Sequence, residues 1–102
     1  MQSHQAVSAL SALAHEARLA VFRLLVQAGP EGMPAGAIAE QLALAPSGLT
    51  FHLKELTAAG LLMRHPEGRQ VRYSAAYPTM NGLMVYLASN CCRGEACALG
   101  AP

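Results

Sequence analysis

Apolar residues recur at helical spacing over most of this chain, interrupted by a short stretch around residues 61–75 that reads as strands about a turn. Ser8 to Leu13 is rich in Ala, Leu and Ser and sets Val7, Leu10 and Leu13 on one side, which predicts a first helix. His15 to Ala28 carries Leu19, Phe22 and Val26, with Leu24 and Leu25 beside them, and stops at Gly29-Pro30. Pro34 suits the first turn of a third helix with Ile38 and Leu42 inward. Ala45-Pro46 then breaks the chain. Ser47 is the expected N-cap of a fourth helix that runs to Ala59 and stops at Gly60. Leu61 to His65 and Gln70 to Ala75 read as two strands around a Pro66-Glu67-Gly68-Arg69 turn. Met80 to Ser89 is apolar nearly all round and predicts a last helix covered on two sides, either as a core helix or as a dimer interface.

The fourth helix has two faces. Leu49, Leu53 and Leu56 fall at i, i+4, i+7 and form a stripe to be buried. Ser47, Thr50, Phe51 and Lys54 form the opposite stripe. Two hydroxyls, a ring able to pack on a thymine methyl and a cation for phosphate suit a DNA major groove. The competing reading of Phe51 is packing on a neighbouring helix in a rotated frame. His52, at the edge of the leucine stripe, reads as a packed or hydrogen-bonded histidine. Arg64, Arg69 and Arg72 on the hairpin are candidates for phosphate contacts, Arg69 nearest the tip. Arginines there also serve solubility alone. The order of elements is a winged helix-turn-helix, mainly α with a small β-hairpin.

Composition sharpens this picture. The chain has 102 residues, room for one domain, with 53% apolar and 13% charged residues. So much apolar surface implies a second buried face, most simply against another copy through the terminal helices. Net charge is only +1, but Lys54, Arg64, Arg69 and Arg72 cluster between residues 54 and 72. A dimer would place two recognition helices one DNA turn, or a multiple of it, apart on a near-palindromic site. Met1 reads as a genuine start. No signal peptide or uninterrupted apolar run of about 18 residues is evident, so a cytoplasmic protein with no membrane partner is expected.

Cys91, Cys92 and Cys97 are all the cysteines of the chain and share the window C-C-R-G-E-A-C. They divide the chain into a DNA-binding and dimerisation domain, 1–90, and a thiol-rich tail, 91–102. Three thiols this close can hold one soft ion once ionised, and Arg93 favours their ionisation. Zinc normally takes four ligands, so it would need one more from His4, water or a partner. Adjacent side chains diverge on a regular helix, so Cys91 and Cys92 can share an ion only if the chain bends at or after Cys91. Gly94 would let the loop to Cys97 fold back. Two further readings stay open: a disulfide from Cys91 or Cys92 to Cys97 on oxidation, and a tail without a role. An enzyme is not expected: there is no C-x-x-C and no phosphate-cradling loop that holds a cysteine.

The stretches L-S-A-L-A-H-E-A-R-L-A-V-F-R-L-L at 10–25, P-S-G-L-T-F-H-L-K-E-L-T-A-A-G-L-L at 46–62 and E-G-R-Q-V-R-Y at 67–73 resemble the ArsR/SmtB family of bacterial metal-sensing repressors. The likeness covers roughly residues 8 to 92. Many members carry proline where this chain has Ala17. The resemblance implies a homodimeric repressor that sits on operator DNA and lets go when a metal binds. It assigns DNA contact to Ser47, Gly48, Thr50 and Phe51, and with less support to the wing arginines. Family sites built on a C-V-C motif in the third helix, or on His and carboxylate ligands in the last helix, are missing here. The thiol cluster resembles that of arsenic(III) sensors with two adjacent cysteines and a third a few residues on. As(III), with Sb(III) as a second thiophilic ion, is therefore the expected inducer, and three sulfurs in a pyramid suit its lone pair.

Overall fold

The computed structural model describes residues 1–94. Its elements run α1 (Ser3–Leu13), α2 (Glu16–Ala28), β1 (Met33–Pro34), α3 (Ala35–Leu42), α4 (Pro46–Ala58), β2 (Leu62–Glu67), β3 (Gln70–Ala75) and α5 (Tyr77–Ala88). A 3-10 turn, Cys91–Gly94, follows. This is a winged helix-turn-helix, with a small antiparallel sheet ordered β1-β3-β2. None of the helices among the described residues is long and apolar enough to cross a membrane.

Packing begins with alanine. On α1 the buried side chains are Ala6, Ala9 and Ala12, whose small size lets this helix lie close to α2 and α4. Of the trio Val7, Leu10 and Leu13, only Leu13 touches the core, and Val7 and Leu10 are exposed. The helix also starts earlier than the pattern suggested, because the Gln2 backbone N–H donates to Gln5 Oε1 at 2.6 Å. His15 caps α2, its Nδ1 accepting the Ala17 N–H at 3.2 Å. Val21, Phe22 and Leu25 carry the burial of α2, whereas Leu19 is exposed.

Two prolines act one step outside their expected places. Pro34 lies in β1 and flanks α3 as its N-cap residue. Pro46 opens α4 at the first helical position, where its missing N–H costs nothing, with Ala45 as N-cap. Ser47 therefore sits inside the first turn instead of capping it. Ala43 takes a left-handed φ of 54° and turns α3 toward α4. The hairpin turn is shorter than expected: Pro66 and Glu67 belong to β2, Glu67 pairs with Gln70, and Gly68 supplies a positive φ of 61°. Pro66 is tolerated because β2 is an edge strand.

The sequence pattern missed β1, which pairs Met33 with Tyr73 and Pro34 with Arg72. Two residues are too few to show a period. Gly32 makes the pairing possible: it holds φ at 66°, and a Cβ there would collide with the Tyr73 carbonyl. The Tyr77 hydroxyl donates to the Val26 carbonyl at 2.9 Å and ties the start of α5 to α2. Beyond that tie, only Leu83 of α5 is buried, while Met84, Val85, Tyr86 and Leu87 face outward.

Leu56 is fully buried and Gly32 has no room for a side chain. In urea unfolding, Leu56→Ala should cost about 2–5 kcal/mol. Gly32→Ala should cost more than about 1 kcal/mol, since both φ and space oppose it. Near-neutral outcomes would contradict this packing.

Candidate nucleic-acid interface

Leu49, Leu53 and Leu56 are 2%, 2% and 0% exposed, and they fix the rotation of α4 about its own axis. Burial of each is worth about 1.5–3 kcal/mol, far more than any contact on the other side of the helix. Ser47, Gly48, Thr50, Phe51 and Lys54 consequently share the exposed surface. The Thr50 hydroxyl donates to the Pro46 carbonyl at 3.0 Å, which sets its rotamer and leaves its oxygen able to accept. Phe51 is 52% exposed. One side of its ring meets Arg18, whose Cζ lies 5.3 Å from the ring centroid. The ring thus leans on α2 and still faces solvent.

His52 is half-buried beneath this surface. It accepts a hydrogen bond from Arg18 Nε at its Nδ1, 3.3 Å away, and its ring lies 4.7 Å from that of His15. Burial lowers its pKa from the ordinary histidine value, and the charges of His15 and Arg18 lower it further. It is the hydrogen-bonded histidine that its position suggested.

The wing divides its arginines. Arg64 and Arg69 line a groove of about 670 Å³ together with Thr50, Leu53, Glu40 and Gln70. Both therefore stand beside the exposed stripe of α4. Arg72 points elsewhere. Its Nε donates to Glu67 Oε1 at 3.2 Å, and its Nη1 to the carbonyls of Glu31 and Gly32 at 3.3 and 3.4 Å. The ion pair is largely solvated and worth about 0–1 kcal/mol. The carbonyl bonds matter more, because they tie β3 to the loop that leads into β1. On the same face, His65 Nε2 and the buried Ser74 hydroxyl lie 2.9 Å apart.

The chain bends after α5. Asn90, Cys92 and Arg93 all adopt left-handed φ, at 58°, 55° and 58°. Cys91 Sγ and Cys92 Sγ are thereby 3.7 Å apart. Two thiolates on one tetrahedral ion with bonds of about 2.3 Å would stand about 3.8 Å apart, so this pair suits a shared soft ion. Cys97 lies outside the described residues. Among the described residues, no group of three His, Cys, Asp or Glu is placed to hold a metal.

Comparison with known proteins adds to this geometry. A family model described as a helix-turn-helix domain matches residues 13–65, from the end of α1 into β2. The chain belongs to this helix-turn-helix family. Its solved structural neighbours include ArsR-family winged-helix regulators. An ArsR-like transcriptional regulator from Rhodococcus sp. RHA1 is 27% identical, covers 82% of this chain and 76% of its own, and superposes with a TM-score of 0.72. NolR from Sinorhizobium fredii is 29% identical over 92% of this chain and 89% of its own, with a TM-score of 0.67. A homodimeric winged helix-turn-helix DNA-binding domain from Mycobacterium bovis is 21% identical over 93% and 88%, with a TM-score of 0.69, and supports the fold alone. No curated protein matches the chain at a significant level. Within the helix-turn-helix match lie α4, the exposed stripe and the Arg18–His52 bond. Sequence reasoning passed over Arg18 because two arginines spaced five apart in a largely apolar helix carry no pattern.

The two kinds of wing arginine should separate in a salt titration. Arg69→Ala should weaken binding to duplex DNA and flatten the dependence of log affinity on log salt by about one unit. Arg72→Ala should weaken binding through the wing's position with the slope unchanged. Equal slopes for the wild type and Arg69→Ala would remove Arg69 from the interface.

Proposed function

We propose that this protein is a homodimeric transcriptional repressor that grips operator DNA with α4 and the wing and is released when As(III) or Sb(III) is bound by Cys91, Cys92 and Cys97. One observation carries the DNA part of this reading: a helix anchored by three buried leucines turns two hydroxyls, a half-exposed phenylalanine and a lysine toward solvent beside Arg64 and Arg69. An exposed phenylalanine in such a setting suits a thymine methyl, and the cations suit phosphate.

The dimer follows from the apolar side chains left uncovered. Val7 and Leu10 on α1, and Met84, Val85 and Leu87 on the adjoining α5, are all exposed, Val85 to 70%. A second copy that covered this surface would bring four helices together and pair two recognition helices on a near-palindromic site. The Mycobacterium bovis domain of the same fold is homodimeric, and the proposal carries that arrangement over to this chain.

The inducer reading rests on thiol chemistry. Cys91 and Cys92 already hold their sulfurs 3.7 Å apart at the end of α5, and Cys97 is close enough in sequence to join them. Three thiolates are a donor set for a thiophilic ion with a lone pair. Their location supplies the coupling, because a change at the end of α5 acts on the surface between subunits. A coupling of about 1–3 kcal/mol would change operator affinity about 5- to 150-fold. The same close thiols favour a second reading, a repressor that senses oxidation through a disulfide.

Arsenite titrated into the reduced protein on its own upstream DNA separates the two. The arsenic reading expects release with one arsenite per subunit, three thiols protected, and loss of the response in Cys92→Ser with DNA binding intact. Release by peroxide with loss of two thiols, and none by arsenite, would replace it with the redox reading.

A further inference from the structure

The geometry points to Arg18 as a positioning residue for base recognition: anchored on His52, its guanidinium holds the Phe51 ring in the orientation that α4 presents to DNA. This inference rests on the reading of α4 as the recognition helix.

An exposed phenylalanine on a free-standing helix exchanges between side-chain rotamers, and ordering it on binding lowers affinity. Phe51 is not left free in this way. Arg18, from α2, sets its cation 5.3 Å from the ring centroid, within cation–π range. The His52 ring approaches from within α4, at 6.1 Å and tilted by 56°. The arginine is itself constrained, since its Nε donates to His52 Nδ1 at 3.3 Å. That bond requires a lone pair on Nδ1 and so the neutral imidazole with its proton on Nε2. His15 completes the group. Its ring lies against His52 at 4.7 Å, and its own Nδ1 is held by the Ala17 N–H at the start of α2. Side chains from the α1–α2 junction, α2 and α4 therefore form one clasp around a ring that faces solvent.

The clasp explains why a half-buried arginine sits at the edge of the recognition surface with no carboxylate partner among the described residues. Its guanidinium is spent on an imidazole and a ring face. Such an arginine orders the residue that meets the base. It differs from Arg69, whose place at the tip of the wing suits a phosphate.

The test uses the full chain and a duplex selected by the wild-type protein from a random pool, with affinity and its salt dependence read by fluorescence anisotropy. Phe51→Ala should weaken binding. Arg18→Ala should weaken it about 3- to 10-fold with the salt slope unchanged, and should cost nothing further in the Phe51→Ala background. His52→Asn, which keeps an acceptor near the Nδ1 position, should bind like the wild type, whereas His52→Leu should follow Arg18→Ala. If Phe51→Ala binds normally, the reading of α4 itself fails, whatever Arg18 does. If Phe51→Ala weakens binding but Arg18→Ala still costs its full factor in that background, or flattens the salt slope by about one unit, Arg18 acts on DNA independently and the positioning role is overturned. Should Arg18→Ala not fold, the contrast between His52→Leu and His52→Asn decides the matter, and equal affinities of those two would overturn it.

Discussion

The rotation of α4 about its own axis is the constraint on which the rest of the structure depends. Three leucines one turn apart enter the core between α1, α2 and α3, and no other rotation of the helix buries all three. The opposite stripe is then exposed as a consequence and needs no contact of its own to keep it there. A recognition surface built in this way can vary in its outer residues without loss of the fold, because the energy that orients it lies on the far side. The wing follows from the same core. Leu61, Leu62 and Ala75 are buried beside the leucine stripe, and β3 is held between β1 and β2. Arg64 and Arg69 reach the groove next to Thr50 because the sheet is fixed there.

The outer surfaces are less settled by the monomer. On α1 and α5 several large apolar side chains point outward, while alanines, Leu83 and the partly buried Leu13, Tyr77 and Met80 pack inward. A monomer gains nothing from that arrangement, whereas a pair of subunits buries both faces at once. The cysteine turn lies directly beyond α5 in the chain. In the proposed mechanism the thiols would act on the recognition helices through that apolar surface.

Residues that obey a strong period were legible in sequence. The leucines of α4 could be placed because burial imposes a period of 3.6, the stop at Gly29 because Gly-Pro ends a helix, and the two wing strands because a turn sequence separates them. The side of α1 was not legible, because its exposed face carries large apolar residues as a core face would. Val7, Leu10 and Leu13 showed that a helix forms, and its buried side is marked by the small alanines Ala6, Ala9 and Ala12. Ser47 looked like a cap, but Pro46 ahead of it fits the first helical position better and moves the helix start one step back. β1 was hidden by its length. Among candidate site residues, the exposure of Ser47, Thr50, Phe51 and Lys54 followed from the helical period. The engagement of Arg72 with the Glu31 and Gly32 carbonyls could not be foreseen, since it joins residues about 40 positions apart. The same holds for Arg18 and His52, which are separated by 34 positions.

Mapping the amides that respond to DNA tests the central claim most directly. A labelled protein titrated with a selected duplex should show its largest NMR shift changes at Ser47, Gly48, Thr50, Phe51 and Lys54, with a second set near Arg69. The amides of Met84 to Leu87 should change little. Changes concentrated on α1 and α5, with α4 silent, would contradict the account.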